Sequence, residues 1–157
     1  MRVFSASWNW RRALLRLAVV SGLVVGLLAA CGDAPPQAVR FESARIRLPV
    51  PGTDKAVGYF QMTNNTDEVI TLVGVRSGNV RSIEMHTMIR EGDMMRMRRL
   101  QTVEVQPDET VELVPGGRHL MMFGADGLGD RVDLVFNSVE GGEYRHTFTT
   151  FLPGDSP

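Results

Sequence analysis

His86, Met97, His119 and Met121 follow one another at intervals of ten, twenty-one and one residues, so the chain carries the pattern His-x10-Met-x21-His-x-Met. Two imidazoles and two thioethers with no thiolate make a soft, neutral donor set. Such a set suits Cu(I) better than any other common metal, because polarisable sulfur favours electron-rich ions. The rest of the methionine content points the same way. Of nine methionines, seven (Met85, Met88, Met94, Met95, Met97, Met121 and Met122) lie between residues 85 and 122, with two of the three histidines. Core filling explains single methionines well, but not this clustering.

The elements that must hold these donors read as strands, and strand parity sorts the methionines. In Arg81-Ser-Ile-Glu-Met-His-Thr-Met88, Ile83 and Met85 share one face while Glu84, His86 and Met88 share the other. In Arg118-His-Leu-Met-Met-Phe123, His119 and Met121 share a face and Leu120 and Met122 take the opposite one. A single strand can therefore supply two ligands, while Met85 and Met122 belong to the core. Around Met97, Arg96 and Arg98 point away and Met95 points the same way. Met95 and Met88 are thus accessory candidates. Glu84, on the face of His86, is placed to orient a ligating imidazole.

Period two continues through the rest of the chain. Ala44, Ile46 and Leu48 alternate with Arg45 and Arg47, and Val103/Val105, Val111/Leu113 and Val132/Leu134/Phe136 repeat the pattern. Turn residues separate these runs at Pro51-Gly52, Asn64-Asn65, Ser77-Gly78, Glu91-Gly92-Asp93, Pro107-Asp108, Pro115-Gly116-Gly117 and Gly141-Gly142. No amphipathic helix is evident after the first thirty residues. The expectation is an all-β, two-sheet antiparallel Greek-key sandwich. Asn64-Asn65-Thr66 reads as a hairpin turn, although it matches a glycosylation sequon. His146, which alternates with Tyr144 and Phe148, reads as packed or at a sheet margin and not as a ligand.

Residues 1–30 have the character of a secretion signal: Arg2, Arg11, Arg12 and Arg16 precede the apolar run from Leu17 to Ala30. That run ends in Leu28-Ala29-Ala30-Cys31, the pattern of a bacterial lipobox, so Cys31 is the expected lipidated N-terminus. Paired Arg11-Arg12 leaves general and twin-arginine export both open. Asp33 stands one place beyond the position of the inner-membrane retention signal, which leans weakly toward the outer membrane and leaves the choice open. The expected organisation is signal 1–30, lipid-anchored linker 31–40, copper-binding sandwich 41–152 and a short tail 153–157. Loss of the signal removes four of seventeen basic residues and no acidic one, leaving thirteen against eighteen, a net charge of −5. This argues against nucleic acid as a partner. Cys31 is the only cysteine, so the domain has no internal disulfide and no thiolate ligand.

The segments Glu84-Met-His86-Thr, Gly92-Asp-Met-Met-Arg-Met97-Arg and Pro115-Gly-Gly-Arg-His119-Leu-Met121 together resemble the periplasmic Cu(I) chaperones of the PCu(A)C type, which serve assembly of the copper A centre of cytochrome c oxidase. The resemblance spans residues 40 to 152 and meets the four-ligand spacing without insertion or deletion. It implies a cupredoxin-like sandwich, Cu(I) as the bound ion, and periplasmic delivery to an oxidase subunit or a thiol co-chaperone; with the lipobox and four ligands that fill the coordination sphere, the expectation is a membrane-tethered monomer that is not an enzyme. Asp93 stands where members more often carry valine, and Met88 where many carry a further histidine. These departures leave open whether Met88 tunes or replaces a ligand.

Other classes fit less well. A blue-copper electron carrier needs a cysteine ligand, and a copper enzyme needs an open coordination position. A periplasmic copper storage or resistance lipoprotein would use the same donors. A metal-free interaction lipoprotein would leave the methionines unexplained. No serine has a base at motif spacing and no glycine-rich loop leads into a helix, so hydrolase and nucleotide readings lack support.

Overall fold

The computed structural model describes residues 37–155. The signal segment, Cys31 and most of the expected linker lie outside the described residues. Ten strands follow in order: β1 (Val39–Arg47), β2 (Lys55–Asn64), β3 (Ile70–Arg76), β4 (Ser82–Glu91), β5 (Met94–Leu100), β6 (Val103–Val105), β7 (Thr110–Leu113), β8 (His119–Phe123), β9 (Arg131–Ser138) and β10 (Glu143–Phe151). Val39 and Arg40, assigned to the linker from sequence, already belong to β1. There is no helix among the described residues.

The alternating residues mark the buried face. Ile46, Val105, Val111, Leu113, Val132, Leu134 and Phe136 are all buried, as are Met85 and Met122. Each such side chain contributes about 1.5–3 kcal/mol when fully withdrawn from water. The hydrogen-bonded path runs β5-β4-β8-β2-β1-β10-β9-β3-β6, with β7 also paired to β2. Two strands separate β2 from β9 along this path, yet Phe60 and Phe136 meet edge-on at 5.1 Å between ring centroids. The sheet therefore folds over itself into two layers with an aromatic centre, the cupredoxin-like sandwich.

Two connections depart from the sequence reading. β1 and β10 pair in parallel, through Arg45↔Thr149 to Arg47↔Phe151, inside an otherwise antiparallel arrangement. The Asn64-Asn65 turn is not a hairpin, since β2 pairs with β1, β7 and β8 while β3 pairs with β6 and β9. Its chain instead crosses from one layer to the other. Asn64 is buried and holds that crossing: its Nδ2 donates to the carbonyls of Glu68 at 2.7 Å and Val105 at 3.0 Å, and its Oδ1 accepts from the Thr66 backbone N–H at 2.9 Å. A buried amide with its donors and acceptor satisfied fixes a loop that turn propensity alone leaves undefined.

β4 and β5 form a hairpin around Gly92-Asp93, where Gly92 has φ 63°, the left-handed conformation that a two-residue turn of this kind requires at its first central position. β5 is the edge of the sheet, and every residue from Met94 to Arg99 is exposed. The hairpin overhangs the core. β4 is its inner strand and joins it to β8.

Candidate metal centre

Register alone brings the four sequence-predicted donors to one place. His86 on β4 lies directly opposite His119 on β8, and Glu84 lies opposite Met121. On the other side of β4, His86 is opposite Arg99 and Met88 is opposite Met97. Residues opposite one another share a face, so Glu84, His86, Met88, Met97, Arg99, His119 and Met121 all project from the face opposite Met85, Leu120 and Met122. His86 is the centre of the group. His119 is its direct partner, while Met121 and Met97 are its diagonal neighbours on β8 and β5, a separation of roughly 7–8 Å that long side chains bridge.

The two imidazoles are 5.9 Å apart between ring centroids, at an interplanar angle of 65°. Their neighbours decide which nitrogen carries the proton. His86 Nε2 is 2.8 Å from Glu84 Oε2, and a carboxylate oxygen accepts, so Nε2–H donates and Nδ1 keeps its lone pair. That Nδ1 is buried and has no hydrogen-bond partner among the described residues. His119 Nδ1 donates to the Gly117 carbonyl at 3.1 Å, which leaves Nε2 with the lone pair. Burial pushes the His119 pKa below its ordinary value; the Gly117 carbonyl opposes this, and repulsion from any proton added to His86, and from Arg47, adds to it. The ring is held neutral, the state in which imidazole binds a metal.

Glu84 is fixed in turn. Its second oxygen accepts from Arg99 at 2.9 Å, so an Arg99–Glu84–His86 chain orients the imidazole and balances the carboxylate charge. Neither Arg99 nor the Gly117 carbonyl was singled out from sequence. Arg99 was within reach: counting outward from a turn centred on Gly92-Asp93 places it opposite His86. Gly117 was not, because no side-chain pattern marks a carbonyl. The same carbonyl accepts from the Met88 backbone N–H at 3.3 Å, which docks the Pro115-Gly116-Gly117 turn over β4.

The accessory candidates divide. Glu84 touches His86, and Met88 lies beside the group, opposite Met97. Met95 is opposite Arg90, four residues along β5 from the level of His86, or about 13 Å. It does not join the four donors. His146 is packed as expected, stacked on Phe41 at 4.9 Å. No group of three or more His, Cys, Asp or Glu side chains is arranged to hold a metal among the described residues. The further donors on this face, beside the two imidazoles, are the thioethers of Met88, Met97 and Met121.

The LpqE-like lipoprotein family model matches residues 39–150, the whole sandwich from β1 into β10. The chain belongs to the LpqE-like family. Among curated proteins none matches this LpqE-like chain. Solved structures share its fold. The copper-bound PCuAC domain from PmoF2 superposes with a TM-score of 0.62 at 21% identity, covering 78% of this chain and 99% of that one. The apo PCuAC domain from PmoF1 gives 0.60 at 20% identity, covering 78% and 100%. The Cu(I) form of DR1885 from Deinococcus radiodurans gives 0.54 at 19% identity, covering 80% and 85%. The LpqE-like sandwich is thus the PCuAC fold.

Proposed function

We propose that this protein is a periplasmic Cu(I) chaperone that receives copper at His86, Met97, His119 and Met121 and delivers it to assembly of a cytochrome c oxidase copper centre. The observation that carries the reading is the buried His86 Nδ1, which has no hydrogen-bond partner among the described residues and lies beside a second imidazole whose Nε2 keeps its lone pair. Leaving a polar atom buried and unpaired costs about 1–3 kcal/mol. A soft cation held between the two rings and the flanking thioethers removes that penalty. The neutral donor set suits a monovalent ion, and the Arg99–Glu84 pair adds no net charge.

The cargo can also leave. Thioethers bind Cu(I) less tightly than thiolates, so an acceptor offering cysteines can draw the ion away. Met97 is 44% exposed while His119 is only 5% exposed, so exchange starts at the Met97 side and the histidines release last. Four protein donors leave no open position for a substrate, which fits carriage and not catalysis. The copper-bound and Cu(I) forms of the structural relatives support the choice of metal. The lipoprotein family supports an anchor at Cys31, which would hold the carrier near membrane partners and raise its effective concentration there.

The test is a deletion strain grown in low copper. Oxidase activity should fall and should recover with added copper, and His86→Ala or Met97→Ile should reproduce the deletion. Normal oxidase activity with increased copper sensitivity would replace delivery with storage and resistance.

A further inference from the structure

The β4–β5 hairpin holds more sulfur than one centre uses. Met94, Met95 and Met97 are 57%, 55% and 44% exposed on an edge strand, so they fill no core. Parity divides them. Met95 and Met97 project on the face of Met88, whereas Met94, paired with Glu91, projects on the other. The Met88 N–H points away from β5, to the Gly117 carbonyl. Met88 and Met97 are therefore a non-hydrogen-bonded pair, the arrangement that brings opposite side chains closest, with Cα atoms about 4.5 Å apart. Met95 is the diagonal neighbour of Met88 and stands two residues from Met97.

We propose that Met88, Met95 and Met97 form a second site for a soft monovalent cation, Cu(I) or Ag(I), outward of the first and sharing Met97 with it. Three thioethers on one open face are a soft, neutral, three-coordinate donor set. The one cation on that face level with Met95 is Arg90, whose Nε donates to the Gly92 carbonyl at 3.0 Å and whose guanidinium lies 3.8 Å from Asp93. Its charge is turned toward the hairpin tip and compensated. On the opposite face, Arg96 and Arg98 both pair with Glu91, at 2.9 and 2.6 Å. They blunt the edge strand against pairing with another chain and keep the hairpin open to a small ion. Because Met97 belongs to both sets, the ion passes inward by exchanging Met88 and Met95 for the imidazoles and Met121 without leaving the protein. The outer site is the loading and unloading position. This extends the chaperone reading but is tested separately from it.

The experiment uses the full-length chain in mild detergent, titrated with Ag(I) or buffered Cu(I), in wild type and in His86→Ala/His119→Ala. The double variant should still bind one ion, with only sulfur neighbours by X-ray absorption. Met88→Ile or Met95→Ile added to it should each weaken binding about tenfold or more, equivalent to about 1.4 kcal/mol. Met94→Ile, on the same exposed strand but the other face, should leave binding unchanged and reports whether the hairpin survives substitution. A double variant that binds nothing, or binding insensitive to Met88 and Met95, overturns the outer site. The wild-type arm, loaded with one equivalent, decides the inner site: uptake through two nitrogens and two sulfurs sustains the chaperone reading whatever the double variant does.

Discussion

A neutral imidazole has one proton and one lone pair, and each ring of this centre has a hydrogen-bond acceptor beside one nitrogen that keeps the proton there. Glu84 accepts from Nε2–H of His86 and the Gly117 carbonyl from Nδ1–H of His119, so both lone pairs are preset before any metal arrives. Glu84→Ala should therefore weaken Cu(I) binding by roughly 10–100-fold, the usual effect of losing a residue that orients a ligating histidine. Met121→Ile should weaken it further and remove one sulfur from the absorption spectrum. Met122→Ile, one residue away but wholly buried, should leave the donor count untouched. The reverse ranking of Met121 and Met122 would mean that β8 runs in the other register. Parity made the Met121/Met122 distinction legible from sequence. The proton assignments were not legible, because one depends on a carbonyl and the other on a rotamer of Glu84.

Between strands, the placement of β8 decides whether His119 and Met121 reach His86. Gly58 on β2 lies opposite Leu120, and a Cβ added there would stand 3.2 Å from Leu120 Cβ and 3.3 Å from Met122 Cε. Leu120 and Met122 are both wholly buried, and a Cβ atom moves only with its backbone. Gly58→Ala should therefore push β8 outward and destabilise the fold by about 1–3 kcal/mol, the range for overpacking. Weakened Cu(I) affinity should accompany the lower unfolding midpoint. Unchanged stability would show that β8 shifts freely, and the metal affinity would then report the shift alone. Alternation at Val111/Leu113 or Val132/Leu134/Phe136 was sufficient to find the strands and their buried faces. It could not find the parallel β1–β10 pair, whose partners are separated by almost the whole domain, because alternation carries no information about which strands meet. Nor could it separate a hairpin from the crossing after Asn64, since both begin with the same turn residues and differ in what Asn64 donates to.

For the molecule as a whole, the same burial that keeps histidines neutral ties stability to pH. His146 is stacked on Phe41 and lies edge-on to Phe148 at 5.8 Å; burial lowers its pKa, as it does for His119. The unfolded chain takes up protons as pH falls through about 6.5, the free imidazole value. The folded chain resists until lower pH. The unfolded state then binds more protons, so stability falls as pH drops below about 6.5 and is fully present above it. The apo protein should accordingly unfold at a lower temperature or urea concentration at pH 5.5 than at pH 7.5. His146→Phe keeps the ring in the aromatic stack and removes the titrating nitrogen, so it should flatten that dependence without altering Cu(I) binding. Cu(I) should raise the midpoint by mass action and should steepen the pH dependence, since nitrogens that hold a metal take up no proton in the folded state while the unfolded chain still does. An apo midpoint that does not move between the two pH values would mean that neither imidazole is held neutral by burial, and the preset lone pairs at the centre would lose their physical basis.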